Sequence, residues 1–169
     1  MLGSVIPSSR FLVDRLLSRI DWGRAGVVVE YGPGVGTFTR EILRRLPEGG
    51  ILVAIDTNHD FIRYLRRTTS DRRLQLVHGS AGEVQGILRE RGLSGADYVI
   101  SGIPFTTLPS EVRDRILRAT RELLQSGGGF LVYQFTRAVL PGLRQVFTRV
   151  EQDFEPRNIM PARVFYCGL

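Results

Sequence analysis

Val27-Val28-Val29-Glu30-Tyr31-Gly32-Pro33-Gly34-Val35-Gly36-Thr37 decides the reading of this chain, because a β-branched run breaks into glycines at alternate positions and helix-forming sequence begins at once. Branched and aromatic side chains fit a strand. Glycine lacks a Cβ, so it takes positive φ freely or leaves the main chain bare for a close neighbour. The helix that follows turns its unpaired N–H groups toward whatever sits there. A dinucleotide fingerprint carries its third glycine one place later, where this chain has Thr37, so the spacing speaks against a nicotinamide cofactor. The informative acids are then Glu30, two residues before the first glycine, and Asp56, at the end of the next apolar run, Ile51-Leu52-Val53-Ala54-Ile55.

Outward from that stretch, apolar runs at about 26–31, 51–56, 74–77, 96–101 and 129–135 alternate with helical patterns at about 36–46, 57–68, 81–91, 109–126 and 138–146. Such alternation implies parallel strands joined by right-handed crossovers. Gly49-Gly50 and Gly127-Gly128-Gly129 read as turns between a helix and the next strand. The tail differs: residues 146–154 and 162–167 are two strand-like pieces separated by Pro156 to Pro161, which predicts an antiparallel pair. At the other end, Ser8 and Ser9 precede Phe11, Leu12, Leu16, Leu17 and Ile20, the spacing of a serine-capped amphipathic helix over about 8–20 that covers the sheet edge or the mouth of the site. The prediction is one α/β domain over 1–169, mostly a parallel sheet with helices on both faces and an antiparallel C-terminal strand pair.

The 169 residues are enough for one sizeable core. No apolar stretch reaches bilayer-spanning length and no secretory signal is apparent, so a cytoplasmic setting is the expectation. Cys167 is the single cysteine and His59 and His78 the only histidines, which argues against a disulfide or a metal site. The formal net charge is +6, and all 23 basic residues are arginines. Arginine forks pair well with phosphate, on lipid or nucleic acid, so anionic partners are favoured and composition does not choose between them. The densest group, Arg63, Arg66, Arg67, Arg72 and Arg73, reads as a solvated helix face and its following loop.

Glu-x-Gly-x-Gly-x-Gly together with a strand-end acid resembles the S-adenosylmethionine (SAM) site of class I methyltransferases. The resemblance implies a Rossmann-like fold, SAM as cofactor with S-adenosylhomocysteine (SAH) as product, and no metal. It places Glu30, Tyr31, Gly32, Pro33, Gly34, Gly36 and Thr37 around the cofactor, the glycines facing its methionine part and Glu30 ordering the loop. Asp56 then accepts hydrogen bonds from the ribose hydroxyls beside Thr57. Ser80 and Ala81 meet the adenine where family members often carry an acid or a small polar residue, and Ser101 closes the set. The fourth run ends Ser101-Gly102-Ile103-Pro104-Phe105, where methyltransferases acting on amines carry a tetrapeptide of the kind Asn-Leu-Pro-Tyr. In nucleic-acid adenine methylases the Asn side chain and the next carbonyl hold the amino group while the aromatic stacks on the base; here Gly102 stands at the Asn position and Phe105 keeps the aromatic. On this reading the carbonyls of Ser101, Gly102 and Ile103 orient an amine, and Tyr98, Phe105 and Tyr133 offer faces to the growing ammonium.

Ile6-Pro7-Ser8-Ser9, Tyr133-Gln134-Phe135-Thr136 and Arg157-Asn158-Ile159-Met160-Pro161-Ala162, taken with Ser-Gly-Ile-Pro, look like the bacterial phospholipid N-methyltransferases, relatives of the ribosomal RNA adenine dimethylases. That resemblance implies methylation of phosphatidylethanolamine toward phosphatidylcholine, an anionic membrane surface as partner, and a peripheral position at the inner membrane face. Arg137, Arg144 and Arg157 are then the candidates for the lipid phosphate. Methylation of a nucleic-acid adenine is the alternative, disfavoured by Gly102, and a noncatalytic SAM-binding module is the third.

Overall fold

Each apolar run becomes a strand of one seven-stranded sheet in the computed structural model, which describes residues 7–169; Met1 to Ile6, and so the first residue of the Ile6-Pro7-Ser8-Ser9 segment, lie outside the described residues. The strands are β1 (Val27–Tyr31), β2 (Ile51–Asp56), β3 (Leu74–His78), β4 (Ala96–Ser101), β5 (Leu124–Gln134), β6 (Arg149–Glu155) and β7 (Ala162–Gly168). The helices are α1 (Arg10–Leu17), α2 (Thr37–Arg45), α3 (His59–Thr68), α4 (Val84–Glu90), α5 (Ser110–Leu123) and α6 (Leu140–Val146). The order across the sheet is β3-β2-β1-β4-β5-β7-β6, with β1 to β5 parallel and β7 antiparallel to both of its neighbours.

Both faces of the sheet are covered, so its central strands are apolar on both sides. Val29, Val99, Phe130 and Phe165 pack beneath residues of α4, α5 and α6, among them Val84, Leu117 and Leu143. Val28, Leu52, Ile100, Leu131 and Val164 pack beneath α1 and α2. Period-two alternation along β1 therefore sends Tyr31 into the first layer and Glu30 toward the second.

Ser9 caps α1, its hydroxyl accepting from Leu12 N at 3.3 Å. Leu12, Leu16 and Leu17 are fully buried, each worth roughly 1.5–3 kcal/mol of transfer free energy. They press on the face of the sheet, and α1 reaches over β6, the edge strand. The reason is electrostatic as well as apolar: Arg15 on the outer side of α1 bonds Asp153 at 2.8 Å and Glu155 at 2.7 Å, and Arg19 pairs with Glu151, fastening the helix over β6.

Two boundaries move. α5 stops at Leu123, not near 126, because Leu124 already pairs with Ala96, and the register jumps so that Gly129 faces Tyr98. The glycine triplet is thus a bulge inside β5, with Gly127 at φ 81°, and not a turn before it. The C-terminal strands do pair antiparallel, as the sequence predicts, with β7 inserted between β5 and β6.

Candidate active site

The strand order reverses at β1, whose neighbours are β2 on one side and β4 on the other, and ligands of open α/β sheets bind at such a switch beyond the carboxyl ends of the strands. The glycine turn lies there, with Gly32, Gly34 and Gly36 at φ 69°, 54° and 84°. Their reasons differ. A Cβ on Gly36 would come within 2.5 Å of Leu65 Cδ2, and one on Gly32 within 3.4 Å of Ile103 Cγ1, so these glycines let the loop pack on protein. A Cβ on Gly34 would meet nothing within 4 Å, so that backbone is bare toward open space.

Asp56 stands opposite. One carboxylate oxygen accepts from Asn58 N at 2.8 Å and the other from Gly34 N at 3.3 Å. Burial raises its pKa, and those two N–H groups pull it back. Glu30 is 3% exposed and accepts from the Thr39 hydroxyl at 2.7 Å, tying β1 to the first turns of α2. Burial pushes its carboxyl up to about 7. The result is a cradle with one face of bare backbone and a part-buried carboxylate across from it, which suits a ligand with vicinal hydroxyls. Around it, Pro33 is buried, Thr37 opens α2 half-buried, and exposed Thr57 bonds His78 Nε2 through its carbonyl at 3.0 Å. Ser80 accepts from Gly82 N at 3.2 Å, capping the short turn in which Ala81 is buried.

The acceptor side lies one strand over. Gly102 N donates to Tyr31 O at 3.1 Å, joining the end of β4 to β1, and Ser101 is fully buried with its hydroxyl accepting from Ile103 N at 3.2 Å. A Cβ at Gly102 would overlap the Tyr133 hydroxyl and lie 2.9 Å from Tyr133 Cζ. The phenol at the end of β5 therefore fills the space that a side chain at 102 would take. Phe38 covers one face of Tyr133, with ring centroids 5.0 Å apart and planes 16° from parallel. Burial raises the Tyr133 pKa, and a hydrogen bond to Ser8 counters it. Beside it, buried Gln134 clamps the loop: its Nε2 donates to Ile103 O at 2.7 Å and its Oε1 accepts from Phe105 N at 3.2 Å.

Residues 28–128, well over half of the chain, match the family described as a methyltransferase domain. The chain belongs to the class I SAM-dependent methyltransferases. Its cofactor is SAM, and the cradle described above is consistent with that cofactor. Over 168 residues, 98% of this methyltransferase and 88% of the relative, it is 32% identical to the ornithine lipid N-methyltransferase of Singulisphaera acidiphila. The ribosomal RNA small subunit methyltransferase H of Shewanella amazonensis is 36% identical over 83 residues, 49% of this chain and 25% of that protein. Among solved structures, a precorrin-6y C5,15-methyltransferase from Geobacter metallireducens superposes with a TM-score of 0.77 at 17% identity, over 99% of this chain and 92% of that one. Human methyltransferase-like protein 13, solved with SAH, gives 0.70 at 15% identity over 94% and 80%.

Not every residue singled out in the sequence faces this site. The Tyr31 side chain is fully buried on the opposite face, its hydroxyl 3.0 Å from Thr120 Oγ1, so only its main chain reaches the rim. Tyr98 lies three residues back along β4, about 10 Å from the strand end, and its hydroxyl accepts from Asp21 N at 3.2 Å; it cannot offer a face to an amine. Phe105 is 1% exposed and packs into the core beneath α5 and α6. Arg157 spends its fork on Glu155, at 2.9 Å and 3.3 Å, and stacks over Phe11 at 4.1 Å. Arg137 is exposed in the bend between β5 and α6, and Arg144 is exposed in the last turn of α6. Gln134 stands in the Tyr133-Gln134-Phe135-Thr136 segment that carries the resemblance, which gives it no role of its own; the structure makes it the clamp of the Ile103–Phe105 loop. No group of three or more His, Cys, Asp or Glu side chains among the described residues is placed to hold a metal.

Proposed function

We propose that this enzyme transfers methyl groups from SAM to the amino group of a membrane-lipid headgroup, phosphatidylethanolamine or an ornithine-type aminolipid. The observation that carries the reading is the burial of Phe105. Where an adenine methylase stacks its base on an aromatic, this chain has turned the ring into the core, and what stands beside Gly102 is backbone and one phenol. Such a place suits a small aliphatic amine on a flexible stem better than a planar base. Full-length similarity to a lipid N-methyltransferase supports the same reading, whereas the ribosomal RNA methyltransferase matches about half of the chain.

SAM supplies an electrophilic methyl on a sulfonium, whose sulfur keeps the bonding electrons when the amine nitrogen takes the carbon and gives up a proton to water. This chain's residues do the positioning, which is worth roughly 7–11 kcal/mol when two reactants are held at attack geometry. Ile103 O, already oriented by Gln134, and the Tyr133 hydroxyl are the groups that hold the amine beside Gly102. A carbonyl and a hydroxyl accept without demanding, so the place tolerates an amine that loses its N–H groups in successive rounds. Arg137, three residues beyond the end of β5, is the candidate for a headgroup phosphate; Arg144, in the last turn of α6, leads away from this rim, and Arg157 is committed to Glu155.

The test is transfer of labelled methyl from SAM to phosphatidylethanolamine, ornithine lipid and ribosomal RNA offered separately. Labelled lipid is the expected product. Labelled RNA alone, or SAH binding without turnover on any amine, overturns the proposal.

A further inference from the structure

Five large apolar side chains are exposed among the described residues: Phe135, Phe154, Ile159, Met160 and, apart from them, Leu169. The first four gather in one place. Gln134, Arg163 and Phe154 lie side by side across β5, β7 and β6, which puts Phe154 about 10 Å from the end of β5 at ordinary strand spacing. Phe135 follows Gln134, and Ile159 and Met160 stand on the turn that joins β6 to β7 at the same end. All four are therefore on the rim that carries the acceptor site, while Leu169 is at the opposite end of the sheet.

The turn is tied down. Asn158 Oδ1 accepts from Ser9 N at 2.8 Å, Asn158 Nδ2 donates to Met160 O at 2.9 Å, and Arg157 N donates to Glu155 Oε1 at 2.9 Å. Asn158 thus ties the turn to the start of α1, and from that tip Ile159, 72% exposed, and Met160, 53% exposed, project outward. The charges around the tip are of one sign. Arg15 and Arg157 cancel Asp153 and Glu155, which leaves Arg10, Arg137 and Arg163 as the charges that flank it.

We propose that the β6–β7 turn with Phe135 and Phe154 is the lip by which this enzyme enters the surface of an anionic bilayer, its apolar tips seated among the acyl chains and its arginines at the lipid phosphates. Apolar tips ringed by cations match an anionic lipid surface, which offers hydrocarbon beneath and phosphate above. The proposal rests on the lipid reading of the site and adds to it the direction from which substrate arrives: with the lip in the bilayer, the ends of β4 and β5 face the headgroup layer.

Sedimentation with vesicles containing phosphatidylglycerol tests it. The double variant Ile159→Asp/Met160→Asp is expected to lose at least tenfold in partition, with Leu169→Asp unchanged and with the melting temperature and SAH affinity of both variants as in the parent. A polarity-sensitive fluorophore on Ile159→Cys is expected to report an apolar setting when vesicles are added. Equal partition of the double variant and the parent, a fluorophore that stays aqueous on vesicle-bound protein, or a double variant that loses RNA or protein binding but keeps vesicles overturns the lip. Methyl transfer to a dispersed short-chain aminolipid separates the two claims. It is expected to be the same in variant and parent; if neither form methylates it, the lipid-amine reading falls while sedimentation still decides the lip.

Discussion

The two ends of the active-site rim are built by different means. On the cofactor side, around β1 and β2, the decisive features are backbone ones: glycines at positive φ and a carboxylate that takes N–H groups from its own and the adjacent loop. On the acceptor side, around β4 and β5, they are side chains from segments far apart in the chain: Gln134 reaches Ile103 across 31 residues, and Asn158 ties Ser9 across 149. A backbone-made site tolerates little change in shape and serves one cofactor; a site made by side chains from separate elements can be re-cut for a new acceptor without disturbing the first.

Breaking the backbone side should have the largest effect. Gly36→Ala places a Cβ at φ 84° and 2.5 Å from Leu65, so left-handed strain of roughly 1–2 kcal/mol adds to overpacking of roughly 1–3 kcal/mol; thermal unfolding should show a loss of about 2–5 kcal/mol. Next is the pH dependence set by Glu30, raised from an ordinary value of about 4.3 to about 7. The folded state keeps this proton where the unfolded chain has lost it, so stability is full below about pH 4 and falls as pH rises toward 7, by about 3 kcal/mol at roughly 1.4 kcal/mol per unit. Glu30→Gln keeps an acceptor for Thr39 and should flatten that slope in unfolding of the ligand-free enzyme; parallel slopes in the two proteins would assign it elsewhere. Asp56→Ala should leave the melting temperature near the parent's and weaken SAH in calorimetry by roughly 10–150-fold, the worth of hydrogen bonds to a charged group.

The acceptor side sharpens the comparison from the other direction. Tyr133→Phe removes one hydroxyl and keeps the ring on Phe38, so methyl transfer should slow by about tenfold, roughly one hydrogen bond, while SAH affinity stays put. A variant that loses SAH affinity instead would merge the two sides into one.

The glycine turn, Glu30, Asp56, the parallel strands and the terminal antiparallel pair were all legible along the chain, because each rests on local requirements: a left-handed φ, a period of two, an acid at a strand end. The neighbourhood of Tyr31, Tyr98 and Phe105 in sequence points them toward the site, yet packing turns the rings of Tyr31 and Phe105 into the core and Tyr98 stands half a strand back from the rim. Arg157 looked like a free cation until Glu155 was found beneath it. What the sequence by itself determined is where bare main chain and a fixed acid must stand, since those demands sit within one strand, turn and helix. What only the tertiary structure decided is which aromatic reaches Gly102, which amide orients Ile103, and where exposed apolar side chains gather, since each depends on strands that are adjacent in the sheet and distant in the chain.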